Sequence, residues 1–504
     1  MEQLIQLLQA FGNIFVHVDV WGAVLFGTVA GLFLGAMPGL TSTVGIALMI
    51  PFTFYMSPLA AISMVYGVHK GGTYGGSIPA ILLHVPGTPA AACTQIDGYE
   101  LTKQGKQGKA LQCAVLSSAI GDLCSDLVLI FFTVYIARVA LKFGPPEFFG
   151  IILFALTIIG GVTGKSITKG LLSAMAGLFV GTVGLDAITG VARFDFGIVE
   201  LTKGFGLVPL LIGVFCLSEV FVQVEKRLVK GEKVTIIPPS SNPADNRVSW
   251  GELKGCLPAI FRSYGWGQLI GMLPGMGAAI TPWIGYSEAK RSSKHPEKFG
   301  KGALEGVAAP EAANNAVCGA NLMPLLTLGI PGSTDAALIM GVFLIHGLHL
   351  GPRIFVDHAS LVYGIFAAGL LAILIYLLVG LFAAAMIGKL IARVSKAIIF
   401  PIVFISCAMG AYAIGTSVFD VGVMVGFGVL GYVMRKYEFS LPAFVIAFML
   451  GYRFELALRR SLLMSHGSPL IFLTHPICLA FILLTAGTTA LRVWTRYRKK
   501  SAKT

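Results

Sequence analysis

Long apolar stretches separated by short polar ones set the reading of this chain, and the first informative departure lies inside one of them. The run over residues 20–56 is long and apolar enough to cross a membrane, yet it contains Gly35-Ala36-Met37-Pro38-Gly39-Leu40-Thr41-Ser42-Thr43. Proline removes a backbone donor and glycine frees the chain to leave helical geometry, so this run predicts two half-helices meeting at exposed amides and carbonyls. Such a break survives at membrane depth only where protein or a water-filled cavity surrounds it.

Further apolar segments cover residues 111–143, 148–164, 171–185, 205–224, 266–286, 322–348, 361–391, 398–433, 443–458 and 470–491. With broken helices allowed for, they predict an all-α polytopic membrane protein of about 10–14 membrane segments. The stretch 66–89 is so dense in glycine, hydroxyls and proline that an uninterrupted spanning helix is not expected there. Residues 1–19, with Leu4, Ile5, Leu7, Leu8 and Phe11 among glutamines, read as an interfacial lead-in helix.

The broken element recurs. Gly271-Met272-Leu273-Pro274-Gly275-Met276 repeats the first break at an offset of 236 (274 minus 38), and Val85-Pro86-Gly87-Thr88-Pro89 is echoed by Ile330-Pro331-Gly332-Ser333-Thr334-Asp335 at an offset of 245 (331 minus 86). Two matched pairs in the same order predict an internal duplication. The expected division is an N-terminal segment 1–19, membrane repeat 1 over 20–224, a polar linker 225–257, membrane repeat 2 over 258–462, a C-terminal transmembrane helix 463–491 and a basic tail 492–504.

Composition agrees with the membrane reading: 56% of residues are hydrophobic and only 12% charged, outside the range of an ordinary soluble domain. The 62 glycines suit closely packed membrane helices, with Gly27, Gly31, Gly35 and Gly67, Gly71, Gly75 at four-residue spacing. A net charge of +13 lies mostly in loops and the tail, which favours a membrane surface over nucleic acid. The eight cysteines show no metal-binding or CxxC spacing and read as small core residues.

No Lys or Arg precedes Lys70, so no secretory signal peptide is expected. The basic linker and tail (Arg492, Arg496, Arg498, Lys499, Lys500, Lys503) place linker and C-terminus in the cytoplasm and the N-terminus outside. The two repeats then have inverted topology with broken or re-entrant helices. Arg453, Arg459 and Arg460 would lie near the outer face, against the same rule.

Half-helices starting after Gly39, Gly87, Gly275 and Gly332 offer free N–H groups to an anion, and Thr41, Ser42, Thr43, Thr88, Ser333 and Thr334 add hydroxyl donors. The alternative is that the Pro-Gly pairs are kinks and the hydroxyls bond their own i−4 carbonyls. Lys70 at depth requires a partner, a substrate carboxylate being one candidate and an interfacial position the other. Glu311, Asn314 and Asn315 suit a cation or a substrate hydroxyl, or else inter-helix hydrogen bonds. Freed carbonyls near Pro38, Pro86, Pro274 and Pro331, with Glu311, are candidate Na⁺ ligands. Asp122, Asp126, Glu219 and Glu455 are candidate proton relays or interface groups. HExxH, GxSxG and GxxxxGK[ST] are absent, so no enzyme activity and no cofactor beyond a coupling Na⁺ or H⁺ is expected.

The blocks Tyr74-Gly75-Gly76-Ser77-Ile78-Pro79-Ala80-Ile81-Leu82, Asp97-Gly98-Tyr99, Phe299-Gly300-Lys301-Gly302 and Gly306-Val307-Ala308-Ala309-Pro310-Glu311-Ala312-Ala313-Asn314-Asn315-Ala316 join the four breaks in a pattern that resembles the large membrane subunit (TctA-type) of the tripartite tricarboxylate transporters. The resemblance covers nearly the whole chain. It implies a secondary transporter of the bacterial inner membrane, driven by a Na⁺ or H⁺ gradient. It further implies a small membrane subunit (TctB-type) and a periplasmic binding protein (TctC-type) that delivers a carboxylate. His69-Lys70, where many relatives carry uncharged residues, leaves di- and tricarboxylates other than citrate open. A channel or a membrane-embedded enzyme on the same broken helices is the alternative.

Overall fold

The computed structural model describes residues 2–37, 39–162, 166–229, 237–238, 240–274, 277–393 and 396–501. The expected sites at Pro38 and Gly275 lie outside the described residues.

The chain opens with α1 (Glu2–Val16), whose Leu7, Ala10 and Ile14 are buried, and continues into α2 (Val18–Ala36) and the half-helix α3 (Ser42–Thr53). Then come α4 (Pro58–Gly75), α5 (Ser77–Leu83), α6 (Ala91–Lys103), the long α7 (Gln107–Ala140), α8 (Pro145–Val162) and α9 (Ile167–Val180). A small antiparallel hairpin of β1 (Gly184–Leu185) and β2 (Ala192–Arg193) precedes α10 (Leu207–Leu211), which runs through a π-helical stretch, Ile212–Leu217, into α11 (Ser218–Val229).

The second half starts at α12 (Trp250–Gly271), inside the stretch expected to be linker, because Ser249 and Glu252 form a capping box there. It proceeds through α13 (Gly277–Ser292), α14 (Leu304–Leu328), the half-helix α15 (Thr334–Ile345), the short α16 (Ile354–Asp357) and the long α17 (Ala359–Arg393). The last helices are α18 (Lys396–Gly415), α19 (Val418–Lys436), α20 (Leu441–Met464), the short α21 (Ile471–Thr474) and α22 (Pro476–Ser501). α17 packs on α1, α2, α4 and α7, whereas α8, α9, α20 and α22 pack on one another.

Six helices among the described residues are long and apolar enough to cross a membrane alone. Outward faces bear exposed apolar side chains such as Phe132, Phe382 and Ile405, so the protein is an all-α, multi-pass membrane protein. The 12 residues of α3 and the 12 of α15 reach about 18 Å each, half a bilayer's worth of helix.

Two expectations change. The glycine-rich stretch 66–89 is interrupted only late: α4 and α5 run as helix from Pro58 to Leu83, and Gly76 between them keeps right-handed helical backbone. Gly27, Gly31 and Gly35 on α2 interleave with Gly67, Gly71 and Gly75 on α4, where an added Cβ at any of them would strike the facing backbone; at Gly75 it would stand 2.5 Å from the Leu32 carbonyl oxygen. Small residues here permit backbone contact rather than a break. Secondly, Arg459 near the end of α20 does not stand as a free charge but joins an ion-pair cluster with the β1–β2 hairpin. Arg193 Nη1 and Nη2 donate to Glu455 at 2.9 and 3.0 Å, and Arg459 pairs with Asp186 at 2.5 Å and Glu455 at 3.0 Å.

The duplication read from the sequence has a counterpart in packing. Gly31 faces the Val68 carbonyl and Gly267 the Ala313 carbonyl; Gly35 faces Gly72 and Gly271 faces Val317. Each glycine pair differs by 236 (267 minus 31, 271 minus 35) and each partner pair by 245 (313 minus 68, 317 minus 72), the offsets of the two breaks. The left-handed caps ending α5 at His84 and α14 at Gly329 also differ by 245 (329 minus 84). Thus α2–α3 and α4–α6 correspond to α12–α13 and α14–α15.

Candidate functional site

Each break leaves the first turn of a half-helix with N–H groups that have no intrahelical partner. Thr41 begins α3 with extended backbone and no side-chain cap, whereas Ser333 begins α15 and its hydroxyl accepts from Ala336 N at 3.2 Å. Before α6, the Thr88 hydroxyl accepts from Ala91 N at 3.3 Å. The breaks are far apart in sequence but meet in space. A cavity of about 510 Å³ is lined by Thr41, Ser42 and Thr43 from α3, Thr88 before α6, Ile280 from α13, and Ser333, Thr334 and Asp335 from α15. Stretches following all four breaks therefore face one volume, and α4 and α14 pass beside it with His69 and Asn314.

The cavity has a polar hub. Asp335 accepts hydrogen bonds from Ser42 at 2.6 Å and from Thr43, and its Oδ2 lies 2.9 Å from His69 Nδ1. A carboxylate from the second repeat thus sits at the N-terminus of a half-helix of the first, the placement that the helix dipole favours. The α19–α20 junction contributes Arg435 and residues 439–442 to the same lining. Arg435 pairs with Glu219, but its Nε is buried without a partner. Asn314 is 2% exposed and neither amide atom has a partner. Unpaired buried polar groups are costly, so a wall carrying them suits a polar ligand.

Seven expected site residues line the cavity: Thr41, Ser42, Thr43, Thr88, Asn314, Ser333 and Thr334. Gly39, Gly87 and Gly332 lie in the breaks beside it; a Cβ at Gly332 would stand 2.8 Å from Asn321 Oδ1, which explains glycine there. Lys70 and Asn315 point away from it. Lys70 is wholly buried, 2.5 Å from Asp122 Oδ1 and 3.0 Å from Asp126 Oδ2, and Tyr66 and Tyr376 donate to the same carboxylates at 3.0 and 3.2 Å. Its partner is thus this pair of aspartates, not a substrate carboxylate, and Asp122 and Asp126 are spoken for by it. Asn315 donates to Ser118 at 2.8 Å and to the Glu311 carbonyl at 3.0 Å.

Sequence reasoning missed His69, Asp335 and Arg435 as cavity residues. Asp335 closes the quoted Ile330–Asp335 echo and was the findable one; Arg435 sits at the end of an ordinary apolar helix and carries no local signal. The family-type blocks around Asp97 and Phe299 turn out to be one clasp, since Asp97 Oδ1 accepts from the amides of Gly300, Gly302 and Ala303 at 2.9, 2.8 and 2.8 Å. Among the described residues no three His, Cys, Asp or Glu side chains converge as a metal cluster, near Pro86, Pro274 and Pro331 included.

The family model described as the tripartite tricarboxylate transporter TctA family matches residues 22–446. The chain is 34% identical over 479 residues to an uncharacterized 52.8 kDa protein in the TAR-I ttuC′ 3′ region of Agrobacterium vitis, covering 95% of this chain and 94% of that one. A second protein of that organism, uncharacterized and in the TAR-II ttuC′ 3′ region, is 36% identical over 216 residues, or 43% of this chain and 89% of its own length. No solved structure matches.

Proposed function

The chain belongs to the tripartite tricarboxylate transporter TctA family, and from that premise we propose that it is the large membrane subunit through which a di- or tricarboxylate crosses by Na⁺ or H⁺ symport. It acts with a small membrane subunit and receives its substrate from a periplasmic binding protein in the bacterial inner membrane, N-terminus outside and C-terminus in the cytoplasm.

One observation carries this reading: the stretches after four repeat-related breaks line a single cavity of about 510 Å³, a volume suited to a small polar ligand. The substrate carboxylates take the N-terminal turns of α3 and α15 and the hydroxyls of Thr41, Thr88 and Thr334, with Asn314 and Arg435 as further donors. The Asp335 carboxylate, reaching from α15 to the start of α3, supports this, being already held by the Ser42 and Thr43 hydroxyls of that turn. The two repeats are inverted, and α19–α20 forms another part of the cavity wall; movement of the half-helices relative to it opens the cavity to either side in turn.

The test is uptake of labelled carboxylates into proteoliposomes holding both membrane subunits, with the binding protein and an imposed Na⁺ or H⁺ gradient. Saturating, gradient-dependent accumulation is expected, and Asn314→Leu and Arg435→Gln each lower it about tenfold or more. Accumulation indifferent to both gradients contradicts symport. Unsaturable flux indicates a channel, and a chemically altered product an enzyme.

A further inference from the structure

Among the described residues, Glu311 is a wholly buried carboxylate satisfied by side-chain hydroxyls alone, with no positive charge beside it. It is fully buried on α14, and its partners are three hydroxyls on three other helices: Ser77 on α5 and Thr94 on α6 at 2.5 Å from Oε1, and Ser118 on α7 at 2.8 Å from Oε2. Among the described residues, the other wholly buried carboxylates are answered differently. Asp122 and Asp126 have Lys70, and Asp97 has three backbone N–H donors on Oδ1 and the Tyr286 hydroxyl on Oδ2. An N–H group satisfies an anion and nothing else. A hydroxyl also offers oxygen lone pairs, so the Glu311 cradle can hold a cation without being rebuilt.

A second observation points to such a ligand. Asn315, fully buried, donates its amide N–H to Ser118 within the same cradle, while its Oδ1 has no partner. Carboxylate and three hydroxyl oxygens form a cluster of oxygen donors, which hard cations prefer, and the adjoining Asn315 carries an amide oxygen left without a partner. One negative charge balances one positive charge; a divalent ion would bury an excess.

The internal duplication sharpens the assignment. Glu311 and Asn315 correspond to Tyr66 and Lys70 at the common offset of 245 (311 minus 66, 315 minus 70), and α7 serves both places, with Ser118, Asp122 and Asp126 at successive four-residue steps. At the first place the chain supplies its own cation, the Lys70 ammonium. At the second the equivalent residue is a neutral amide.

We propose that Glu311, Ser77, Thr94, Ser118 and Asn315 form a binding site for a single dehydrated Na⁺. This rests on the symport reading for its role, since the site lies one helical position from the cavity residue Asn314, but its occupancy is measurable by itself.

The full-length purified protein, without carboxylate or gradient, is titrated with radioactive Na⁺, and its thermal unfolding is followed in NaCl against choline chloride at fixed ionic strength. Saturable Na⁺ binding and a Na⁺-dependent rise in Tm are expected. Glu311→Gln abolishes both, and Thr94→Val and Ser118→Ala, which leave the carboxylate in place, weaken Na⁺ affinity about tenfold or more. Undiminished binding in Glu311→Gln and Thr94→Val overturns the site. So does a wild-type Tm that ignores Na⁺ and follows pH, which would make the occupant a proton. Absent Na⁺ binding beside gradient-driven uptake sinks the site alone; Na⁺ binding at Glu311 with gradient-independent uptake sinks the symport reading alone.

Discussion

Lys70 on α4 and Asn315 on α14 occupy corresponding places in the two repeats, each deep in the protein and each against α7. Around Lys70 two carboxylates and two tyrosine hydroxyls enclose a permanent ammonium. Around Asn315 one carboxylate meets only hydroxyls, and an amide oxygen is left over. The two places thus differ in chemistry while sharing the glycine contacts that bring their backbones together. The first copy is locked by an internal ion, which fixes α4 to α7. In the proposed reading, the second takes the corresponding charge from outside as a bound Na⁺.

The most damaging way to break this contrast is to remove the internal ion. Lys70→Met leaves Asp122 and Asp126 facing each other in a dry interior, and a loss of about 3–5 kcal/mol is expected in thermal or denaturant unfolding of the purified protein. Unchanged stability would mean the lysine does not lock the first copy. A smaller effect tests whether the copies do share their packing. Gly31→Ala and Gly267→Ala each push a methyl against a backbone carbonyl, of Val68 and Ala313 respectively, so both should lose about 1–3 kcal/mol. If only one variant is destabilised, the correspondence at these offsets fails.

The smallest effect separates the β1–β2 hairpin from both copies. Backbone N–H groups of Thr189 and Ile188, then the Arg459 guanidinium, hold the Asp186 carboxyl well below the usual carboxylate range. A carboxyl depressed in the folded state adds stability that is present above its unfolded value and is lost as pH falls through the folded one. Wild-type Tm should therefore drop more steeply than that of Asp186→Asn on acidification from about pH 7 to about pH 3. Parallel curves would mean that Asp186 contributes nothing to acid sensitivity.

Much of this was legible in the sequence. Proline next to glycine inside apolar runs marked all four breaks, and hydroxyls just after them marked six cavity residues. The offsets of 236 and 245 read from the breaks are also those at which the glycine contacts between α2 and α4 recur between α12 and α14. The reading went astray where one residue type serves two ends. Glycine in 66–83 reads the same whether the chain bends or a neighbouring helix comes close, and only the matching glycines on α2 decide for contact. Lys70 reads as a ligand until Asp122 and Asp126, 52 and 56 residues on (122 minus 70, 126 minus 70), arrive beside it. Arg435 and the α19–α20 junction reach the cavity purely through tertiary packing.

The central claim is that the half-helices of both repeats jointly hold a carboxylate, and a cryo-EM map of the protein with a saturating dicarboxylate tests it most directly. The account expects substrate density between Thr41–Thr43, Asn314 and Ser333–Asp335, with a carboxylate within hydrogen-bond reach of the Asn314 amide. Ordered substrate elsewhere, with only solvent in this cavity at saturation, would contradict it.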